Sequence, residues 1–472
     1  MNSILTALPF LISFLLGETF IRALNQGKSK IDPFVRFFLA GGIGLGLSAF
    51  ITFFSFVIFN QLNKPFVLLV HAVLIVGLII NIVRGHVPNS HKLFESGTFP
   101  LIARWGAWIP ILIVLIPAWI MAEFYPHGGW DAWQVWNFKA KFLFLAPKGV
   151  WLNSFDPILW RSSPHYPLLL PLINVWGWIF LSEPSMTTPF CTSLIFTALV
   201  AGLLFSSLYA LTKNYLSILA PVLALTIPLY VTLATSQYAD IVLGYFALAG
   251  TYCFVETLRA KNSFFAILSG ITLGCLSFTK PEGLIAALII IGFGFLFLLW
   301  ELKKRTPEAK RILFAFFIST LIAFIPGIIF KLFYSPGNQT FINGFLSNEK
   351  PATLLRFKII MAFLWFELTN AKWNGLWILI FIGAVFGWKK SWRKEILIAP
   401  LFLLSYSGIV LLYYLTNTYF EIYWWVQMTL SRILFSLIPL FLFWIFYAVG
   451  WSQRSYKNEK NHSEREKISK RC

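Results

Sequence analysis

Five ionisable residues interrupt otherwise apolar stretches of this sequence, and their types suit proton and anion chemistry: Asp131, Asp240, Lys280, Glu282 and Arg432. Asp131 lies in YPHGGWDAWQVWNFKAKFLF, between Trp130, Trp133 and Trp136, with Lys139 and Lys141 following. Aromatic walls desolvate a carboxylate, which favours its protonated form and suits it to general-base duty. Lys280 and Glu282 share the proline-glycine break FTKPEGL, and Arg432 stands in MTLSRILFSLIP. Lys280 and Arg432, with Lys139 a weaker third, are the cations suited to an anion. Asp240, in QYADIVLGYFALAG, and Glu282 suit orienting a second reactant or holding Lys280 in place.

Each of these residues also has a plainer account. Asp131 and Asp240 are good helix N-caps, Lys280 and Glu282 make an ordinary hairpin pair, and Arg432 has a stem long enough to snorkel. His127 and His165 flank the Asp131 loop without metal-binding spacing, so neither receives a role. Lys331 and Glu256 read as snorkelling residues near helix ends, while Glu367 fits either the site or the interface. Cys191, Cys253 and Cys275 sit in apolar runs and Cys472 ends the chain, so neither a disulfide framework nor zinc is expected.

The elements that must position these residues follow from composition. The chain has 472 residues, of which 58% are hydrophobic and 12% charged, against about 25% charged in soluble domains. That balance excludes a soluble enzyme and a disordered chain, and it predicts an all-α polytopic membrane protein. The net charge of +19 is assigned to topology, because Lys and Arg collect in cytoplasmic loops. No compact polar domain exists to present a basic face to nucleic acid.

Hydropathy predicts about thirteen crossings, among them 216–234, 264–278 and 433–451, in the sequence. The first run, from Ile4, reads as a retained helix. Placing every basic cluster inside puts the N-terminus outside and the C-terminus in the cytoplasm, provided that 168–180 and 359–368 do not cross. Both are read as outward-facing juxtamembrane helices, the first with Trp176 and Trp178 at headgroup depth. The Asp131 segment is read as an amphipathic helix with Trp133, Trp136 and Phe138 near one face. Asn417–Arg432 is read as an outward segment with Arg432 starting the last helix. The organisation is a three-helix extension over 1–104, a core over 105–452 with an outer loop over 125–187, and a basic tail over 453–472 whose composition is that of a disordered segment. A transporter or lipid flippase is the rival reading; it calls for internal repeats and broken mid-membrane helices, neither of which the sequence displays.

In order, GGWDAWQVWNFKAKFLF, SPHYPLLLPLINVWGW, QYADIVLGYFALAG and GCLSFTKPEGLI resemble the GT-C superfamily of polytopic glycosyltransferases. The nearer likeness is to its protein-mannosyltransferase-like and lipid A aminoarabinose-transferase-like families, which use a phospholipid-carried sugar. The likeness covers about 105–333, and TLSRILFSLIP is similar to a late motif of bacterial members. It implies inverting transfer of a sugar from a polyprenyl-phosphate donor to a glycan, lipid or protein acceptor, outside a bacterial cytoplasmic membrane. It further implies Asp131 as catalytic base; for such a reaction the charges named above suggest Lys280 and Arg432, with Lys139 a weaker third, at the donor phosphate, Asp240 and Glu282 orienting the acceptor, and Trp130, Trp133 and Trp136 stacking on sugar or lipid. Many members carry an acidic pair where this chain has Asp131-Ala132, so a divalent cation is left open without the support of such a pair, and no cofactor is firmly implied.

Overall fold

Backbone polar groups inside a bilayer must bond within their own segment, and the chain meets this demand with helices alone. The computed structural model describes residues 2–26, 29–84, 108–304, 308–338, 342–344 and 353–450. Among them no strand occurs. The helices are α1 (Asn2–Asn25), α2 (Pro33–Phe59), α3 (Lys64–Arg84), α4 (Trp108–Phe124), α5 (Asn137–Leu145), α6 (Leu169–Ile179) and α7 (Thr187–Thr212). They continue as α8 (Leu219–Leu225), α9 (Pro228–Thr235), α10 (Ala239–Ala260), α11 (Ser263–Ser277), α12 (Pro281–Lys303) and α13 (Ala309–Phe333). The last are α14 (Thr353–Thr369), α15 (Leu376–Ser391), α16 (Ile398–Thr416) and α17 (Ile422–Gly450). The tail over 453–472 and much of the basic 84–104 stretch lie outside the described residues.

Among the described residues, nine helices are long and apolar enough to cross a membrane, and a bent pair makes a tenth. The difference from thirteen lies in α4, α11 and α15, apolar helices of only 17, 15 and 16 residues. The bent pair replaces the straight run expected over 216–234. It turns by 70° between Leu225 and Pro228, because the residue before a proline is pushed out of helical geometry and Ile227 is extended at φ −76°, ψ 123°. One broken helix is therefore present where the sequence displayed none.

Helix α10 forms the centre, with its whole apolar window buried against α7, α11, α12 and α17. The extension joins the same core: α2 packs on α6 and α7, and the Tyr245 hydroxyl of α10 donates to the Phe38 carbonyl. The start of α10, the end of α11 and the start of α12 meet at one level. Longer helices overshoot that level. Phe50 touches Phe278 just after α11, and α2 continues to Phe59, about 13 Å further at 1.5 Å per residue. The convergence point is thus recessed, with α2 and α17 rising past it.

The segment between α4 and α7 folds over this recess. Gly149 N–H and Trp151 Nε1 donate to Asn60 beyond α2, both at 2.8 Å. Helix α6 differs from the expected interfacial helix, since all eleven of its residues are buried. Trp176 has no exposure and donates to the Pro9 carbonyl and Ser13 Oγ of α1, while its ring stacks on His71 of α3 at 4.0 Å. A protein partner for the indole N–H removes the reason for a tryptophan to seek headgroups. Helix α14 docks on α16 and α17, with Arg356 donating to the Tyr414 and Asn417 carbonyls.

Candidate active site

Asp131 is placed by a close approach between two loops. Gly128 has φ +73°, and a Cβ on Gly129 would lie 2.4 Å from Tyr238 Oη, so the pair lets the chain lie against the α9–α10 turn. Gly129 N–H donates to the Ser236 carbonyl at 3.1 Å, and Asp131 N–H reaches Tyr238 Oη at 3.4 Å. The next turn is a π-helix over Ala132–Trp136, a rare widening found at functional sites. It turns Trp136 inward, fully buried against Tyr166, while Trp130 and Trp133 remain 61% and 46% exposed. The single aromatic face expected of an ordinary helix is split, and Trp136 is a core residue, not a stacking platform.

A chain of amides, buried at Gln237 and Asn174, holds this turn. Gln237 Nε2 donates to the Pro126 carbonyl at 3.1 Å, Asn137 Nδ2 to Gln237 Oε1 at 2.7 Å, and Asn174 Nδ2 to Asn137 Oδ1 at 3.1 Å. Thr192 Oγ1 closes it by donating to Asn174 Oδ1 at 3.0 Å. Gln237 sits at φ 59°, a left-handed conformation that costs a non-glycine residue about 1–3 kcal/mol and persists only where surroundings enforce it. Asp131, six residues before Asn137, is thus tied to the turn that leads into Asp240.

The charges then assemble into one line. Arg432 Nη1 donates to Asp131 Oδ2 at 2.6 Å, while its Nη2 and Nε donate to Asp240 Oδ2 at 2.8 and 3.1 Å. Lys280 Nζ donates to Asp240 Oδ1 at 2.8 Å and stands 3.6 Å from Glu282 Oε1. Tyr238 supports the guanidinium from below, its ring centroid 4.5 Å from Cζ. Arg432 serves both aspartates because its donors fan out in one plane. Burial alone would pull the Lys280 ammonium down, but Asp240 and then Glu282 outweigh it and hold it above its ordinary range. Burial, followed by the charges of Glu282 and Asp131, pushes the Tyr166 phenol up.

These partners differ from those that the plain accounts require. Asp131 makes no capping bond with its side chain, and the N-cap of α10 is Tyr238, not Asp240. Arg432 does not start the last helix. Helix α17 begins at Ile422, which puts Arg432 about 15 Å along it; the arginine does not snorkel but points into the recess. Lys139 departs from the others. It is wholly buried and donates to the loop carbonyls of Ser163 and Tyr166, and burial pulls its ammonium well down. It clips the loop together and is no part of the line of ion pairs. Glu367 pairs with Lys372, which also donates to Ser431 beside Arg432. Glu256 pairs with Arg259 and does not snorkel free. His127 lines a cleft of about 420 Å³ with Phe124, Tyr125 and Trp133. Among the described residues no three His, Cys, Asp or Glu side chains lie close enough to hold a metal ion.

Asp131 and Asp240 stand on either side of Arg432. Residues 187–342 match the dolichyl-phosphate-mannose-protein mannosyltransferase family model. That family belongs to the GT-C superfamily, so the resemblance carried by the motifs is borne out over this segment. No curated protein and no solved structure matches the chain. The matched segment contains Asp240, Lys280 and Glu282, whereas Asp131 and Arg432 reach them from either side of it. Asn137, Asn174, Gln237 and Tyr238 complete the site without having been singled out in the sequence. Asn174 is the one with a visible signal, an amide inside an apolar, tryptophan-rich run.

Proposed function

We propose that this protein transfers a glycosyl group from a polyprenyl-phosphate donor to a hydroxyl or amine of a glycan, lipid or protein acceptor. The reaction takes place on the extracytoplasmic side of a membrane, with the N-terminus outside and the C-terminus in the cytoplasm. The observation that carries this reading is Arg432 bridging Asp131 and Asp240, one bond from Lys280, inside a recess flanked by lipid-facing helices.

The line holds three carboxylates against two cations, so as it stands it would repel a phosphate. A donor phosphodiester therefore enters by exchange, taking Arg432 Nη1 from Asp131 while Asp240 keeps Nη2 and Nε. Asp240 is the anchor because it is buried with both oxygens bonded. The released Asp131 has lost its cation and gained an anionic neighbour, which makes it a better proton acceptor. The acceptor oxygen or nitrogen attacks the anomeric carbon from the face opposite the phosphate, and its proton passes to Asp131. The bond from the anomeric carbon to the phosphate oxygen breaks, and its electron pair stays on the phosphate. Lys280 and Arg432 meet that charge. The configuration inverts in this single displacement, and the cations are the protein's own. The exposed Trp130 and Trp133 suit the flat faces of sugar rings.

The broken α8–α9 helix favours a transporter as the second reading. Incubating the purified protein with dolichyl-phosphate mannose and a panel of polyprenyl-phosphate sugars separates the two. Donor-dependent release of lipid phosphate that Asp131→Asn abolishes is expected. Movement of intact donor across the bilayer without release would overturn the enzymatic reading.

A further inference from the structure

Among the described residues, one carboxylate oxygen at the site is both shielded from solvent and without a hydrogen-bond partner. Asp240 has both oxygens bonded by cations, and Asp131 has Arg432 at 2.6 Å. Glu282 receives no hydrogen bond: its Oε1 stands 3.6 Å from Lys280, and its Oε2 is sealed from solvent with no donor. A charged oxygen shut away without a hydrogen bond is costly, and folded proteins keep few of them. Pairing with Lys280 alone does not explain it, because that ammonium leans toward Asp240 at 2.8 Å. Glu282 lies in the first turn of α12, which packs on α16.

We infer that the Glu282 carboxylate, on a side chain 31% exposed, is the acceptor for a hydroxyl of the transferred sugar ring, so that Glu282 is a specificity-determining residue at the donor glycosyl group. The assignment rests on the donor reading above, in which Arg432 and Lys280 meet the phosphate. A sugar joined to a phosphate that reaches Lys280 comes within range of Glu282, 3.6 Å from that ammonium. Glu282 then touches the donor, whereas the sequence reading had turned it toward the acceptor. A site that buries such an acceptor rejects ligands lacking the hydroxyl, because the oxygen is stranded again.

The test is a titration of the full chain in nanodiscs, followed by tryptophan fluorescence, with two lipids. One is dolichyl-phosphate mannose; the other is dolichyl methyl phosphate, which has the same phosphodiester charge and no sugar. The wild type is expected to prefer the mannosyl lipid. Glu282→Ala should shrink that preference roughly ten- to a hundred-fold, the worth of a hydrogen bond to a charged group, while affinity for the methyl diester holds or rises. Glu282→Gln, which keeps the shape, should show a smaller loss of the same kind. A preference retained within twofold in both variants overturns the role of Glu282 alone, as does an equal loss for both lipids. Failure of the wild type to bind either lipid overturns the donor reading and this assignment with it.

Discussion

Removing the proposed base should tighten the binding of a lipid phosphate, not weaken it. Asp131 and Arg432 form one hydrogen-bonded ion pair at 2.6 Å, with side chains 25% and 24% exposed. A donor phosphate has to displace that pair, so Asp131 competes with the ligand for Nη1. Fully exposed pairs are worth about 0.2–1 kcal/mol and breaking buried ones costs about 3–5 kcal/mol; a quarter-exposed pair with one good bond falls near 1.4 kcal/mol. That corresponds to roughly a tenfold lower Kd for Asp131→Ala. Asp131→Asn, which keeps a neutral acceptor for the guanidinium, should gain less. Isothermal titration of dolichyl phosphate into nanodisc-embedded protein reads this directly, with no turnover involved. The gain should narrow at high salt, where the competing pair is already screened in its exposed part. Arg432→Gln should lose affinity under the same conditions. Equal or weaker binding by Asp131→Ala would refute the exchange, because it would mean that Arg432 is not held back by Asp131.

Asn137→Ala should leave two buried amides short of a partner, at a cost of about 1–3 kcal/mol, and lower kcat more than it raises KM; thermal unfolding and steady-state kinetics check the two parts. Trp136→Ala should destabilise by about 3–5 kcal/mol as a buried large-to-small change, whereas Trp133→Ala should leave the unfolding temperature nearly unchanged and weaken sugar binding, compared by scanning fluorimetry and donor titration. His165 is pushed down to about 3 by burial, then by Lys139 and Lys331. The unfolded chain takes up that proton near the ordinary value of 6.5, so between 6.5 and about 3 the unfolded state binds more protons and stability falls as pH drops. His165→Gln should flatten the decline in unfolding temperature across that window.

Much of the fold can be read along the chain, because a bilayer imposes a transfer energy on every residue separately. Runs such as 33–59 and 281–303 report their helices without reference to any partner, and the proline at 228 marks the bend that hydropathy smoothed over. The helices that read less well are those whose environment is other protein. The Trp-rich α6 looks interfacial only while His71, Pro9 and Ser13 are unknown to be its neighbours. Trp136 has the same chemistry as Trp133, and one π-turn decides which of them faces solvent.

The site divides the same way. Charged residues in apolar surroundings are expensive, so Asp131, Asp240, Lys280, Glu282 and Arg432 announce themselves by rarity alone. What they do to one another depends on contacts between residues 301, 192 and 40 positions apart, and no local pattern encodes such pairings. Lys139, equally rare, is diverted to two backbone carbonyls because its loop folds back on it. The sequence by itself determined that this is a helical membrane protein in which a few charges depart from the inward-facing pattern of the rest. Only the tertiary structure decided that Arg432 holds Asp131, that Asp240 is satisfied and that Glu282 keeps an oxygen free. Rarity is a property of each residue, whereas partnership is a property of how the helices pack.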